Sequence, residues 1–222
     1  MRQISRYLPI FLLLVGAQFA SAQGAFDAYA GLGTASVKSN GSGIYNLNST
    51  NAFGSCDITL GDPNCQKTGS LSGLFMNFGG DVMFQKHLGF GANVSLQPVK
   101  QDYGPMQYRQ TFYDFDGIYA PLVQKRVSFR LEGGVGGANT GFSYSQSSCV
   151  GTAVCSSSAQ SIGSANHFQV HAGVGIQFNV TNHIFIRPQF DYRYVPNLTQ
   201  QFGSNSVPQG TIFVGYNFGD KE

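Results

Sequence analysis

Side chains along most of this chain change character at every second residue, and a period of two commits a backbone to extended strands. Over 74–84, Leu74, Met76, Phe78, Val82 and Phe84 share one face while Asn77, Gly79 and Asp81 share the other. After three turn residues Leu88, Phe90, Ala92, Val94 and Leu96 alternate with Gly89, Gly91, Asn93, Ser95 and Gln97. The two segments predict a tight hairpin. The same reading gives strands near 26–37 and 107–120, the latter with Tyr113, Phe115 and Tyr119 opposite Asp114 and Asp116. Val127, Phe129, Leu131 and Val135 then oppose Ser128, Arg130, Glu132, Gly134 and Gly136. Phe168, Val170, Ala172, Val174, Ile176 and Phe178 oppose His167, Gln169, His171, Gly173, Gly175 and Gln177. Ile186, Phe190, Tyr192 and Tyr194 oppose Arg187, Gln189, Asp191 and Arg193, and Ile212, Val214, Tyr216 and Phe218 complete a set of eight strands.

The links between strands fall into two classes. Short links near 85–87, 121–126 and 181–183 interleave with long ones near 38–70, 98–106, 140–166 and 196–208. An antiparallel membrane barrel with an even number of strands and both ends in the periplasm sorts its loops in this way.

Alternation alone also fits a soluble lipocalin-like barrel with the apolar face turned inwards. The polar face separates the two. Charged residues make up 11% of the chain, where a soluble domain carries about 25%. Gly79, Asn93, Ser95, Gln97, Gln169 and Gln177 stand where a water-facing sheet would place Lys and Glu, while Lys86 and the pair Lys125 and Arg126 fall at turns. Hydrocarbon outside and a polar lumen inside satisfies both facts, and closure leaves no backbone amide unpaired in lipid. Tyr108, Tyr119, Tyr192 and Tyr194 are expected in the interfacial girdles. An eight-stranded barrel is only wide enough for its own side chains, so inward Gly79, Gly89, Gly91, Gly134, Gly136, Gly173 and Gly175 should pack beside inward Phe75, Met83, Phe112 and Phe213 without leaving a channel.

Residues 1–22 begin with Arg2 and Arg6, continue through an apolar run over 8–19 and end on Ala20, Ser21 and Ala22, the pattern of a secretory signal peptide cut after Ala22. The expected mature barrel domain is 23–222. Losing Arg2 and Arg6 takes the 13 basic residues to 11, matched by 11 acidic ones. A formally neutral chain has no basic field for phosphate backbones, so nucleic acid is not an expected partner.

Several charges fall at lumen positions: Asp81, Asp114, Asp116, Glu132 and Asp191, with Arg130, Arg187, Arg193, His167 and His171. Isolated buried charges are costly, so mutual pairing into an internal network is expected. His167 and His171 share a face, but no further ligand at metal spacing accompanies them, and no metal or other cofactor is expected. His167 near Ser164 is the one arrangement resembling a hydrolase pair, in a segment crowded with serines. No G-x-S-x-G, phosphate loop or dinucleotide fingerprint is present. Cys56, Cys65, Cys149 and Cys155 all lie in long links. An even number in an exported chain predicts disulfides. Of three possible pairings, Cys56 with Cys65 and Cys149 with Cys155 each close a short loop.

The hairpin series, the sorted loops and the ending Thr211-Ile212-Phe213-Val214-Gly215-Tyr216-Asn217-Phe218 together resemble the outer-membrane protein β-barrel domain family, with its small OmpA-like barrels. The resemblance covers the mature chain. It implies an all-β, eight-stranded antiparallel up-and-down transmembrane barrel in the outer membrane of a Gram-negative-type bacterium. Residues 84–91 look like the family's periplasmic hairpin. Phe218 looks like the final aromatic read by the barrel assembly machinery, although four residues follow it here. Outer-membrane lipid and that machinery are the implied partners, with an extracellular ligand on the loops as a further one. The leading expectation is a non-enzymatic protein that anchors four loops for structural, adhesion or surface-binding work. A lipid or peptide hydrolase, a solute channel and a soluble periplasmic carrier are the alternatives.

Overall fold

The computed structural model describes residues 25–39, 41, 43–45, 55–62, 65–103, 106–150 and 154–219. The expected signal peptide lies outside these residues. Eight long strands make the wall: β1 (Ala25–Ala35), β2 (Leu74–Met83), β3 (Leu88–Leu96), β4 (Met106–Val123), β5 (Val127–Val150), β6 (Val154–Asn179), β7 (Ile184–Tyr194) and β8 (Ser206–Asn217). Each pairs antiparallel with the next, and β1 pairs with β8 from Asp27 opposite Asn217 to Ala35 opposite Gln209, which closes the sheet. Closure removes the free edges that an open sheet would present.

The period of two is realised as inside and outside. On β7, exposed Ile184, Ile186, Pro188, Phe190, Tyr192 and Tyr194 alternate with buried Phe185, Arg187, Gln189, Asp191 and Arg193. Leu74, Phe78 and Val82 of β2 point outwards, as do Leu32, Phe115, Val135, Phe168 and Ile212. A soluble barrel would bury these side chains. The apolar face therefore meets hydrocarbon, and the carrier with an apolar centre is ruled out. Among the described residues no helix is long and apolar enough to cross a membrane, which leaves the strands to do so.

The two ends differ as the loop lengths predict, with two revisions. At one end, turns of a few residues join β2 to β3, β4 to β5 and β6 to β7; β4 runs on to Val123, past the expected link at Pro121. At the other end, the expected loop over 140–166 is instead a continuation of the β5–β6 ladder, paired from Asn139 opposite Asn166 to Val150 opposite Val154. With 24 and 26 residues, these strands far exceed the roughly 9–11 that cross a bilayer, so the hairpin projects well beyond the apolar band. Beyond Tyr144, where β4 stops pairing, the two strands hold each other by backbone hydrogen bonds.

The first long link carries its own small sheet of Gly43–Tyr45, Ser55–Cys56 and Cys65–Lys67. The Cys56–Cys65 disulfide spans it with a Cα–Cα distance of 5.8 Å. Gly43 is needed there, since a Cβ would stand 2.5 Å from Cys65 Sγ. A 3-10 turn, Ile58–Leu60, is capped by Asp57, which accepts from the Thr59 hydroxyl and backbone N–H. Those two bonds hold the Asp57 carboxyl below its ordinary range. Cys149 and Cys155 are directly opposed in the β5–β6 register, and their side chains lie outside the described ones.

Candidate functional site

The barrel axis gathers chemistry-bearing side chains, because every inward position of eight strands converges there. Two ionic layers and an aromatic cap fill it.

The layer nearer the short turns is built on Asp81 of β2. One Asp81 oxygen accepts from Arg130 Nη1 of β5 at 2.5 Å and Arg187 Nη1 of β7 at 2.8 Å, and the other from the Tyr29 hydroxyl of β1 at 3.0 Å. Arg130 also reaches Asp27 of β1 through Nη2, so a guanidinium on β5 ties together two strands on the opposite wall. Arg187 lies 3.5 Å from Glu132. Among the described residues no hydrogen-bond acceptor reaches Arg187 Nε or Nη2. The guanidinium stands instead over the Tyr29 ring at 4.3 Å and the Phe213 ring at 5.1 Å, where cation–π attraction replaces part of the lost hydration. Gly79 makes room for this stack, since a Cβ there would lie 2.5 Å from the Tyr29 ring.

The second layer is centred on His171 and Arg193. His171 Nδ1 lies 2.8 Å from Asp116 of β4 and Nε2 lies 3.1 Å from Asp191 of β7. Carboxylates on both nitrogens suit an imidazolium, which alone donates twice. Arg193 donates to Asp114 through Nη2 at 2.8 Å and to Gln209 through Nη1 at 2.6 Å. Gln169 donates to Asp114 at 2.5 Å, and Gln189 bridges Glu132 at 2.9 Å and Asp191 at 2.7 Å. Gln209 in turn donates to Asn77 and Ser95, so β2, β3, β4, β6, β7 and β8 join one network.

Above the ions, towards the long loops, the lumen turns apolar. Tyr103, Tyr108, Phe142 and Phe202 pack edge to face around Phe75, Phe112, Leu71, Leu198 and Val37, all buried. The short helix Thr199–Phe202 in the link between β7 and β8 inserts Phe202 into this cluster. Tyr103 donates to the Gln201 carbonyl and Ser72 N–H donates to the Tyr108 hydroxyl. Burial pushes the Tyr103 phenol up to about 12. Tyr108 is thus a correction to the expected girdle: it shares the inward face of β4 with Gln110 and Phe112. Tyr119, Tyr192 and Tyr194 do face outwards.

Of the residues expected in the lumen, Asp81, Asp114, Asp116, Arg130, Glu132, His171, Arg187, Asp191 and Arg193 meet in the two layers. His167 stands apart: half-exposed near the long-loop end, it is 3.0 Å from Gln201 and joins no ion pair among the described residues. Ser164 is exposed on the same strand. Three members were missed: Asp27, Tyr29 and Gln209. The signal was the alternation of β1 and β8, in which Asp27 and Tyr29 occupy the face opposite Ala28, Ala30 and Leu32. Among the described residues no cluster of three His, Cys, Asp or Glu side chains is arranged to hold a metal ion.

At the end of β8, the exposed Phe218 ring packs against Phe26 and Tyr216, and its N–H donates to the Phe26 carbonyl at 2.8 Å.

The family model described as outer membrane protein beta-barrel domain matches residues 8–218. No curated protein matches the chain. Among solved structures, the chain is similar to Ail, the attachment invasion locus protein of Yersinia pestis, at 16% identity and a TM-score of 0.47, covering 88% of this chain and 99% of that one. It is also similar to Neisserial surface protein A at 16% identity and 0.49, covering 87% and 97%. OprG from Pseudomonas aeruginosa aligns at 13% identity and 0.44, covering 87% and 96%.

Proposed function

Because the chain belongs to the outer membrane protein beta-barrel domain family, we propose that it is a non-enzymatic surface anchor, a barrel in the outer membrane that holds its long loops and the β5–β6 hairpin outside the cell for binding. The observation that carries this reading is the sealed lumen beneath a long projecting hairpin. Buried ion pairs cross the axis and an aromatic cluster closes its long-loop end, which leaves transport with no path and places the accessible polar surface on the loops.

In this reading residues 1–22 are removed after Ala22, both termini lie in the periplasm and Phe218 is the residue that assembly machinery reads. The disulfide-braced loop and the hairpin are the recognition surface, with Cys149 and Cys155 bridging the latter. The ion network sets barrel shape, since His171 is enclosed between two carboxylates and Arg130 between two others. Proteolysis of intact cells tests it. Cleavage within 145–160 with the barrel left in the outer-membrane fraction supports the reading. Protection of that segment until the outer membrane is opened refutes the orientation. Steady single-channel conductance in planar bilayers refutes the sealed lumen, and hydrolase activity abolished by His167→Ala or His171→Ala refutes the non-enzymatic assignment.

A further inference from the structure

The short-turn rim of the barrel is unusual in its charge. The turns at 84–87, 124–126 and 180–183 hold Lys86, Lys125 and Arg126, with His87 and His183, and no acidic residue. Lys86, Lys125 and Arg126 are exposed. The described acidic side chains lie elsewhere. Asp27, Asp81, Asp114, Asp116, Glu132 and Asp191 face the lumen, and Asp57, Asp62 and Asp102 belong to the long links. Of the residues after Gly219, Asp220 and Glu222 are acidic and Lys221 is basic.

Backbone bonds fix these turns against neighbouring strands. The Ala120 N–H donates to the His87 carbonyl at 2.8 Å, and His87 Nδ1 lies 2.6 Å from the Ala120 carbonyl. Asn179 donates its backbone N–H to the Arg126 carbonyl and its side-chain amide to the Lys125 carbonyl. Lys86 and the Lys125–Arg126 pair therefore project from adjacent hairpins whose places on the rim are set. Below them the outward face carries Phe90, Tyr119 and Leu122, all exposed, with Phe84 stacked on Phe90 at 5.2 Å. Aromatic rings at this depth sit at the level of lipid headgroups, which puts the cations against the phosphate plane.

We propose that Lys86, Lys125 and Arg126 form a binding surface for anionic glycerophospholipid headgroups, with the stacked Phe84 and Phe90 holding the upper acyl chains. The inference rests on the outward orientation of the apolar face and adds the lipid's charge class and the side of the barrel that selects it. Each basic residue near an anionic leaflet favours it by a factor of about five, so a lipid touching one cation is enriched about fivefold and one touching two by more.

The chain contains no Trp, so Tyr119→Trp makes a reporter at this rim and Tyr194→Trp one at the other. Each full-length variant is reconstituted into phosphatidylcholine vesicles containing brominated phosphatidylglycerol or, in parallel, brominated phosphatidylcholine. The expected result is a relative binding constant of about five for phosphatidylglycerol at the Tyr119 position, near one at the Tyr194 position. It should fall towards one in 1 M salt and in the K86Q/K125Q/R126Q variant. A ratio of one at position 119 in the otherwise unmodified chain, or a preference that survives the triple substitution, overturns the proposal and favours an acidic protein as the occupant of this rim. Heat-modifiable gel mobility of every variant reports separately whether the barrel is inserted, so a failure of the barrel reading itself is distinguishable.

Discussion

Asp81→Asn removes the charge on which the inner ion layer is built. Asp81 sits under Arg130 at 2.5 Å, Arg187 at 2.8 Å and the Tyr29 hydroxyl at 3.0 Å, and is 1% exposed. The amide keeps the shape and loses the negative charge. Arg130 retains Asp27, but Arg187 is left with Glu132 at 3.5 Å and with aromatic faces. Breaking one partner of a buried pair costs about 3–5 kcal/mol because an uncompensated charge remains. The retained Glu132 contact places the expected loss towards the lower end, near 3 kcal/mol. Urea titration of barrels folded in phospholipid vesicles, read by tyrosine fluorescence and by gel mobility without boiling, measures it. The double variant Asp81→Asn with Arg187→Met should recover much of the loss, because the stranded cation goes with its partner. A change below about 0.5 kcal/mol in the single variant would be the size of an ordinary surface substitution, and would show that the ion layer is not what crosslinks the wall.

Replacing both Cys56 and Cys65 by Ser should leave the barrel's gel mobility unchanged while trypsin cuts faster within the first long link, since the bridge closes only a local loop worth about 2–4 kcal/mol. Val135→Arg, outward and within the apolar band, should cost about 2–4 kcal/mol in the same urea assay. The Tyr103 phenol carries an alkaline signature. Its folded pKa of about 12 exceeds the ordinary phenol value of about 10, so the native state binds the proton more tightly. Stability is complete below pH 10 and declines as pH rises towards 12, by roughly 2–3 kcal/mol. Tyrosinate absorbance should accordingly lose one late-titrating group in Tyr103→Phe.

The wall of the barrel was legible because lipid and lumen impose opposite demands on alternate residues, as the run from Met76 to Val82 displays with Gly80 as its one break. Lumen membership followed from parity alone, and the same parity would have supplied Asp27 and Tyr29 had β1 been read residue by residue. Tyr108 was misassigned by residue type, when its spacing from Gln110 and Phe112 already placed it inside. The projecting β5–β6 hairpin was hidden for a physical reason. Over 145–148 the residues are Ser-Gln-Ser-Ser, with no hydrophobic period to mark a strand, so the backbone ladder that runs through them left no trace in the sequence. The aromatic cap was equally hidden, because Tyr103 and Phe202 come from separate links that meet only once the barrel has closed. Pairing of Cys56 with Cys65 was readable because a short separation and an exported chain leave few geometries.

A nitroxide scan along β8 tests the lipid-facing assignment most directly. Spin labels placed one at a time from 209 to 216 in reconstituted bilayers should alternate, with oxygen colliding freely at 210, 212, 214 and 216 and poorly at 209, 211, 213 and 215. The opposite phase, or no alternation, would mean that the apolar side chains of β8 do not touch hydrocarbon.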